Sequence, residues 1–308
     1  MALGRSLLLA AARSRRLNDF ALRSAFVKRA TQTFMPGEHV GDALEAGARI
    51  AASGRGLIFT QLGEAITSAD GAVAVRDHYL QLFDQIRAMG LPAQVSVKPT
   101  QLGLDLSLAE CERHLLALAA KAEETGSALW LDMEDSSYVD RTLQLYTALK
   151  KRHAATGVAL QAYLHRTPED LSSLMPFKPM IRLVKGAYDE PSKIAFAKKS
   201  DTDRAYYALA SQMVDGARTG LCSPVFGTHD LALVERIVER ASAAGVGRGT
   251  YQIHMLYGIR DAAQRGLVAE GHTVKTLVSY GAAWYRWYMR RLAERPANVL
   301  FVLKSLFG

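Results

Sequence analysis

The chain has 308 residues, 49% of them hydrophobic, enough to bury a large core as one big α/β domain or two smaller ones. Its formal net charge of +8 suits an anionic ligand or surface, but the charges are spread along the chain rather than gathered into a run, which leaves nucleic-acid binding a weak alternative. Two distant cysteines, Cys111 and Cys222, argue against a disulfide framework or a Cys-based metal site and fit a reducing, cytosolic setting, while no apolar stretch approaches the ~20 residues a membrane-crossing helix needs.

The first eighteen residues, MALGRSLLLAAARSRRLN, hold four arginines and no acid. They read as a helix with Leu7, Leu8 and Leu9 packed and its cationic face wet, as an amphipathic targeting segment, or as a peripheral membrane contact. A helical region over roughly 17–54 follows, so residues 1–54 form an N-terminal helical extension and 55–308 the catalytic domain. From there short apolar runs alternate with helical periodicity. Strands are predicted at 56–62, 93–98, 128–132, 157–163, 180–185, 223–228, 249–255 and 272–278. Helices are predicted at 71–89, 107–125, 136–153, 202–219, 230–243, 259–269 and 282–295. Gly90-Leu91-Pro92, Thr167-Pro168 and the cap Asp135-Ser136 punctuate the boundaries. Eight strands with crossover helices, with no GxGxxG after the first strand and no linker between them, predict a closed (βα)8 barrel of the TIM type rather than a doubly wound sheet.

In such a barrel the active site forms at the C-terminal ends of the strands, so polar residues there are candidates for chemistry. They are Lys98, Asp132 and Glu134, Gln161, Arg182 and Lys185, and Thr228-His229-Asp230. The structural alternatives are ion pairing of Arg182 or Lys185 with Asp132 or Glu134 across the barrel, and a helix N-terminus at His229-Asp230 with His229 on the surface. Asp132, Glu134 and Asp135 together present the hard oxygens that bind magnesium or calcium, although Lys98, Arg182 and Lys185 beside them favour an anionic substrate or a reduced, anionic cofactor. A Schiff-base or metal-dependent lyase or aldolase built on Asp132, Glu134 and Lys185 is a competing reading. In the last helix Trp284, Tyr285, Trp287 and Tyr288 run into Arg290, Arg291 and Glu294. This pattern suits a core-facing helix with a basic end, an interfacial membrane anchor, or a lid whose arginines bind a carboxylate.

The segments SVKPTQLGLDLS (96–107), LDMEDS (131–136), LQAYLHRT (160–167), RLVKGAYDEP (182–191), TDRAYYALA (202–210), THD (228–230), MLYGIR (255–260) and YMRRLAERPANVLF (288–301) resemble, in order over nearly the whole chain, the block motifs of proline dehydrogenases of the short monofunctional bacterial type. The resemblance implies a distorted (βα)8 barrel with non-covalent FAD at the strand C-termini, oxidation of L-proline to Δ1-pyrroline-5-carboxylate, and reoxidation by membrane quinone. It implies a cytoplasmic protein with peripheral contact at the inner membrane. Arg290, Arg291 and Lys98 would bind the substrate carboxylate, with Asp132 paired to Lys98 and Glu294 orienting an arginine. Arg182 would lie near the flavin N5, and Gln161, Val184, Lys185, Gly186, Lys199, Thr228 and His229 would line the rest of the cofactor, with Asp132, Arg291 and Glu294 at its edge. Leu183, Ala187, Tyr188, Leu256 and Trp287 would wall the pyrroline ring.

Three positions depart from that pattern: Leu277 and Trp287 stand where the family commonly has tyrosines, and Tyr251-Gln252-Ile253-His254 replaces a FEFQ-like segment. A tryptophan covers a pyrrolidine ring as a tyrosine does, whereas a lost hydroxyl changes discrimination against polar ring substituents. The first reading keeps proline as substrate, and the second admits another small secondary amino acid.

Overall fold

The computed structural model describes residues 31–63, 65–285, 288 and 289. Among them eight parallel strands close in sequence order into a barrel: β1 (Gly56–Gln61), β2 (Ala93–Val97), β3 (Leu129–Leu131), β4 (Thr156–Gln161), β5 (Met180–Val184), β6 (Ser223–Gly227), β7 (Gln252–Leu256) and β8 (Thr273–Tyr280). The closing pair β1–β8 is in register from Gly56↔Lys275 to Gln61↔Tyr280. Helix α1 (Val40–Ala51) precedes β1, and between the strands run α2 (Ala69–Ala88), α3 (Leu108–Glu124), α4 (Val139–Lys150), α5 (Thr167–Leu174), α6 (Lys199–Arg218), α7 (Leu231–Ala243) and α8 (Asp261–Ala269). The fold is thus the (βα)8 barrel expected from the alternation of strand and helix patterns.

Two periodicities build it. Along each strand, successive side chains point to opposite faces, so Leu57 and Phe59, Val95 and Val97, Leu129 and Leu131, Ile181 and Leu183, and Ile253 and Met255 share one buried apolar core with the helices. Their alternates face the lumen, which is why polar residues interrupt otherwise apolar strands. The helices start where short oxygens accept their first free N–H groups: Ser68 from Gly71, Ser107 from Glu110 and Asp230 from Leu233. The lumen floor holds Trp130, whose indole needs a glycine opposite, since a Cβ on Gly157 would lie 2.5 Å from its ring.

Helix α1 packs on β1 and β8, the position that a helix following β8 fills in a regular barrel, and it buries Ala43, Leu44 and Ile50 in the common core. Each of those two larger side chains contributes about 1.5–3 kcal/mol. The segment before it reaches the start of the last helix, where Trp284 Nε1 donates to Glu38 Oε1 at 3.0 Å and the rings of Phe34 and Tyr288 lie 6.1 Å apart.

Several boundaries differ from expectation by two or three residues. Residues 249–251 do not extend β7, because Arg248–Thr250 coils into a 3-10 turn closed by Thr250 N on Gly247 O. The helix expected over 136–153 opens as a 3-10 turn, Ser136–Tyr138, and stops at Lys150. Strand β8 continues to Tyr280 because β1 offers it partners that far. Of the predicted helix 282–295, Trp284, Tyr285, Tyr288 and Met289 are described and helical. Trp287, Arg290, Arg291 and Glu294 lie outside the described residues, as do residues 1–18.

Candidate active site

Lys98 and Asp132, just past the ends of the neighbouring strands β2 and β3, meet Arg182 from the middle of β5. Asp132 Oδ2 lies 3.5 Å from Lys98 Nζ, and Asp132 Oδ1 accepts from Arg182 Nη2 and, at 2.7 Å, from Ser96 Oγ. Arg182 Nη2 also lies 2.9 Å from Ser96 Oγ, and its guanidinium stacks over Trp130 at 5.0 Å. Burial alone would raise the Asp132 carboxyl, but Arg182 and Lys98 outweigh it and hold the group ionised, below the usual carboxylate range. Two cations face one anion, so a net positive charge remains at the barrel mouth.

That charge has an unused donor. Arg182 is 4% exposed, and its Nη1 has no hydrogen-bond partner among the described residues. On the adjacent strand β4, Gln161 is 3% exposed and its Oε1 is likewise unpartnered. Buried polar atoms normally find partners, so a donor and an acceptor left open on neighbouring strands mark a place for a ligand that offers both. His254 Nδ1 and Ser279 Oγ are buried and open as well.

Lys185 goes elsewhere. Of the pairings across the barrel open to Arg182 or Lys185, Arg182 makes the one with Asp132, whereas Lys185 binds Asp203 Oδ1 at 2.5 Å and Asp230 Oδ2 at 2.8 Å, because residue 185 has passed the strand end and turned towards α6 and α7. Lys199 joins this group through Asp203 at 2.6 Å. The Lys185 hydrogen bond, opposed by burial, keeps Asp230 below the usual carboxylate range. Asp203 is also lowered, its burial overcome by the two lysines. Among the described candidates Lys185 is therefore neutralised, and the excess positive charge lies at Lys98 and Arg182.

The remaining candidates divide. Val184 and the half-buried run Gly186, Ala187 and Tyr188 border the mouth, and Gly186 takes φ +113° with the Tyr163 ring 2.2 Å from where a Cβ would sit, so only glycine fits. Thr228 Oγ1 accepts from Asp230 N at 3.2 Å, and Asp230 caps α7 as read. His229 is not simply a surface residue: its Nε2 accepts from Leu256 N at 2.9 Å and ties the loop after β6 to the end of β7. Leu256 and Leu277, paired in register and alternating with core residues, form an apolar wall facing the lumen. Leu183 is placed otherwise: fully buried between the lumen-facing Arg182 and Val184, it turns to the helical layer, so strand alternation removes it from the ring pocket.

The carboxylates proposed for a divalent cation do not converge. Glu134 accepts from Thr100 N and Oγ1, at 3.2 and 2.6 Å, and Asp135 caps Ser137 N at 3.0 Å. Among the described residues no group of three His, Cys, Asp or Glu is placed to hold a metal ion. No described helix is long and apolar enough to cross a membrane.

Sequence reasoning missed Ser96 and Trp130, which hold Asp132 and Arg182 in place. Both precede a chosen residue by two, Ser96 before Lys98 and Trp130 before Asp132, so the period of a strand already placed them on the same face. It also missed Asp203, which arrives from a helix.

The proline dehydrogenase family model matches residues 43–304. Proline dehydrogenase 1 of Bacillus subtilis (strain 168) is 34% identical over 274 residues, 89% of each chain. Proline dehydrogenase of Deinococcus radiodurans is 34% identical over 284 residues, again 89% of each. Proline utilization A from Bdellovibrio bacteriovorus, inactivated by N-propargylglycine, superposes with a TM-score of 0.80 at 20% identity over 93% of this chain and 38% of that one, a likeness of fold.

Proposed function

The chain belongs to the proline dehydrogenase family, and from that premise we propose that it oxidises L-proline to Δ1-pyrroline-5-carboxylate with non-covalently bound FAD, as the first step of proline catabolism, and passes the electrons to a membrane quinone. The observation that carries the cofactor assignment is the open pair on β4 and β5. A flavin ring edge offers acceptors at N5 and the neighbouring carbonyl and one N–H donor, which complement Arg182 Nη1 and Gln161 Oε1. Lys185, Lys199, Thr228, His229 and the backbone at Val184 and Gly186 would hold the rest of it. Arg291 and Glu294 would lie at its edge.

When bound, the flavin supplies the acceptor for the hydride leaving the ring carbon next to nitrogen. The protein's part is electrostatic and positional. Lys98, with Arg290 and Arg291, clamps the substrate carboxylate, and Asp132 fixes Lys98 and Arg182 in relation to each other. Arg182 presents a buried positive charge where negative charge develops. Asp132, held ionised by two cations, is a weak proton acceptor, so the amine enters unprotonated rather than being deprotonated by this carboxylate. Ala187, Tyr188, Leu256 and Trp287 exclude water around the ring. Quinone reduction implies peripheral contact of a cytoplasmic protein with the inner membrane, consistent with the net charge of +8.

The test is a visible spectrum of the purified protein followed by anaerobic L-proline. A flavin band that proline bleaches supports cofactor and substrate together. Absence of flavin sinks the reading. A flavin that proline leaves oxidised favours a second reading, another small secondary amino acid, which rests on Leu277 standing beside Leu256 in the lumen wall where a hydroxyl is common.

A further inference from the structure

We propose that Glu190 is a positioning residue for the substrate site: its carboxylate latches the segment carrying Ala187 and Tyr188 to the loop carrying Asp132. The proposal rests on the functional reading above. Glu190 Oε1 accepts from Ser136 N and Oε2 from Ser136 Oγ, each at 2.7 Å, a two-pronged, charge-assisted contact between the loops that follow β3 and β5. Ser136 opens the 3-10 turn that leads into α4, where free N–H groups favour an anion. The local carboxylate, Asp135, takes Ser137 N, and Ser136 N is left to a carboxylate from 54 residues further along. A cap needed only for the helix would not have to come from the loop two strands further round the barrel.

The rest of that loop shows what the latch holds. Its return limb is stapled to the strand-four loop by the Leu164↔Ala195 bridge, by Phe196 N on Tyr163 O at 2.8 Å and by His165 N on Ile194 O at 3.0 Å. Its outgoing limb leaves the barrel at Gly186, wedged against the Tyr163 ring. Ala187, Tyr188 and the exposed Asp189 therefore span a gap between a glycine and Glu190, and Glu190 fixes the distance between the Tyr188 wall and Asp132. Releasing it widens the mouth without removing any group that touches substrate or flavin.

The experiment compares the holoenzyme with Glu190→Ala, Glu190→Gln, Ser136→Ala and the double variant Glu190→Ala/Ser136→Ala. Losing a charge-assisted pair that acts on binding raises KM for proline roughly tenfold in Glu190→Ala with kcat within about twofold. Glu190→Gln, which keeps one acceptor for Ser136 N, falls between, and the double variant matches the more severe single one. A second readout needs no turnover: trypsin cuts after the exposed Lys193 and Lys198 faster in Glu190→Ala than in wild type. Cyclopentanecarboxylate, which has the carboxylate and ring shape but no amine, slows that cleavage in both. Unchanged KM and unchanged cleavage in Glu190→Ala overturn the latch, as does a fall in kcat with KM intact. If wild-type flavin is not bleached by proline, the functional reading fails while the cleavage comparison still decides the latch.

Discussion

Arg182 and Lys185 leave the same strand three residues apart, and both meet carboxylates, yet their surroundings differ in kind. Arg182 is buried, shares Asp132 with Lys98, and keeps one guanidinium nitrogen unused. Lys185 is more exposed and meets two aspartates, which also hold Lys199. The first group carries two cations for one anion, the second two for two. Spare charge and a spare donor identify the group poised for a ligand, and a closed set of partners identifies the one that builds the wall around it.

Breaking the first group has the larger effect. Arg182→Met leaves Asp132 with Lys98 alone and removes the open donor, so the rate of flavin bleaching under single turnover is expected to fall by about 10²–10³. Chemical denaturation of the same variant should show a loss of about 3–5 kcal/mol, because one partner of a buried pair is gone. Arg182→Lys preserves charge but not the planar fork, so it recovers stability more than rate. If it recovers the rate fully, the unused nitrogen has no part in the reaction.

Breaking the second group loosens the cofactor rather than slowing the chemistry. Lys185→Met leaves Asp203 and Asp230 facing each other with Lys199 alone, and FAD affinity, followed by fluorescence titration, should drop roughly tenfold with kcat at saturating FAD within about twofold. Adding Asp203→Asn should return part of the affinity, since it removes a charge that the first change left unpaired. A fall in kcat matching that of Arg182→Met would erase the distinction between the two groups.

How far each group was legible in the sequence follows from where its partners come from. Apolar alternation and helical periodicity were enough to place all eight strands, because a parallel barrel repeats one local pattern and needs no long-range information to be recognised. Lys98, Asp132 and Arg182 could be picked out as polar residues at strand ends, and the rule of two would have added Ser96 and Trp130. Past the strand end that rule lapses: the sequence leaves Lys185 one alternative among several, a pairing across the barrel, whereas its partners come from α6 and the start of α7. Leu183 was taken from a motif as a pocket residue although its neighbours on the strand face the other way. Glu190 was invisible because nothing local ties it to Ser136.

The smallest expected effect sharpens the same comparison through pH. His254 stands on the floor beneath Arg182, 4% exposed, with Nε2 at 3.0 Å from Gln252 Oε1 and its ring 5.5 Å from Trp130. Burial, then the charges of Arg182 and of Lys275 on the adjacent strand, hold it well below the ordinary histidine value. Lys275 itself is pushed down to about 8 by burial. As pH falls below about 6.5 the unfolded chain takes up a proton on this histidine and the folded chain does not, so stability is lost on acidification, by about 1 kcal/mol at pH 5.5. Burial lowers His78 and His272 in the same direction, so the wild-type slope is a sum. His254→Gln keeps a polar side chain of similar reach and removes only its own part. Its Tm, measured by calorimetry, should therefore fall less than wild type's between pH 7.5 and 5.5, by about 2 °C. Parallel Tm curves would mean that the folded protein accepts the proton, and that the floor under Arg182 is open to water.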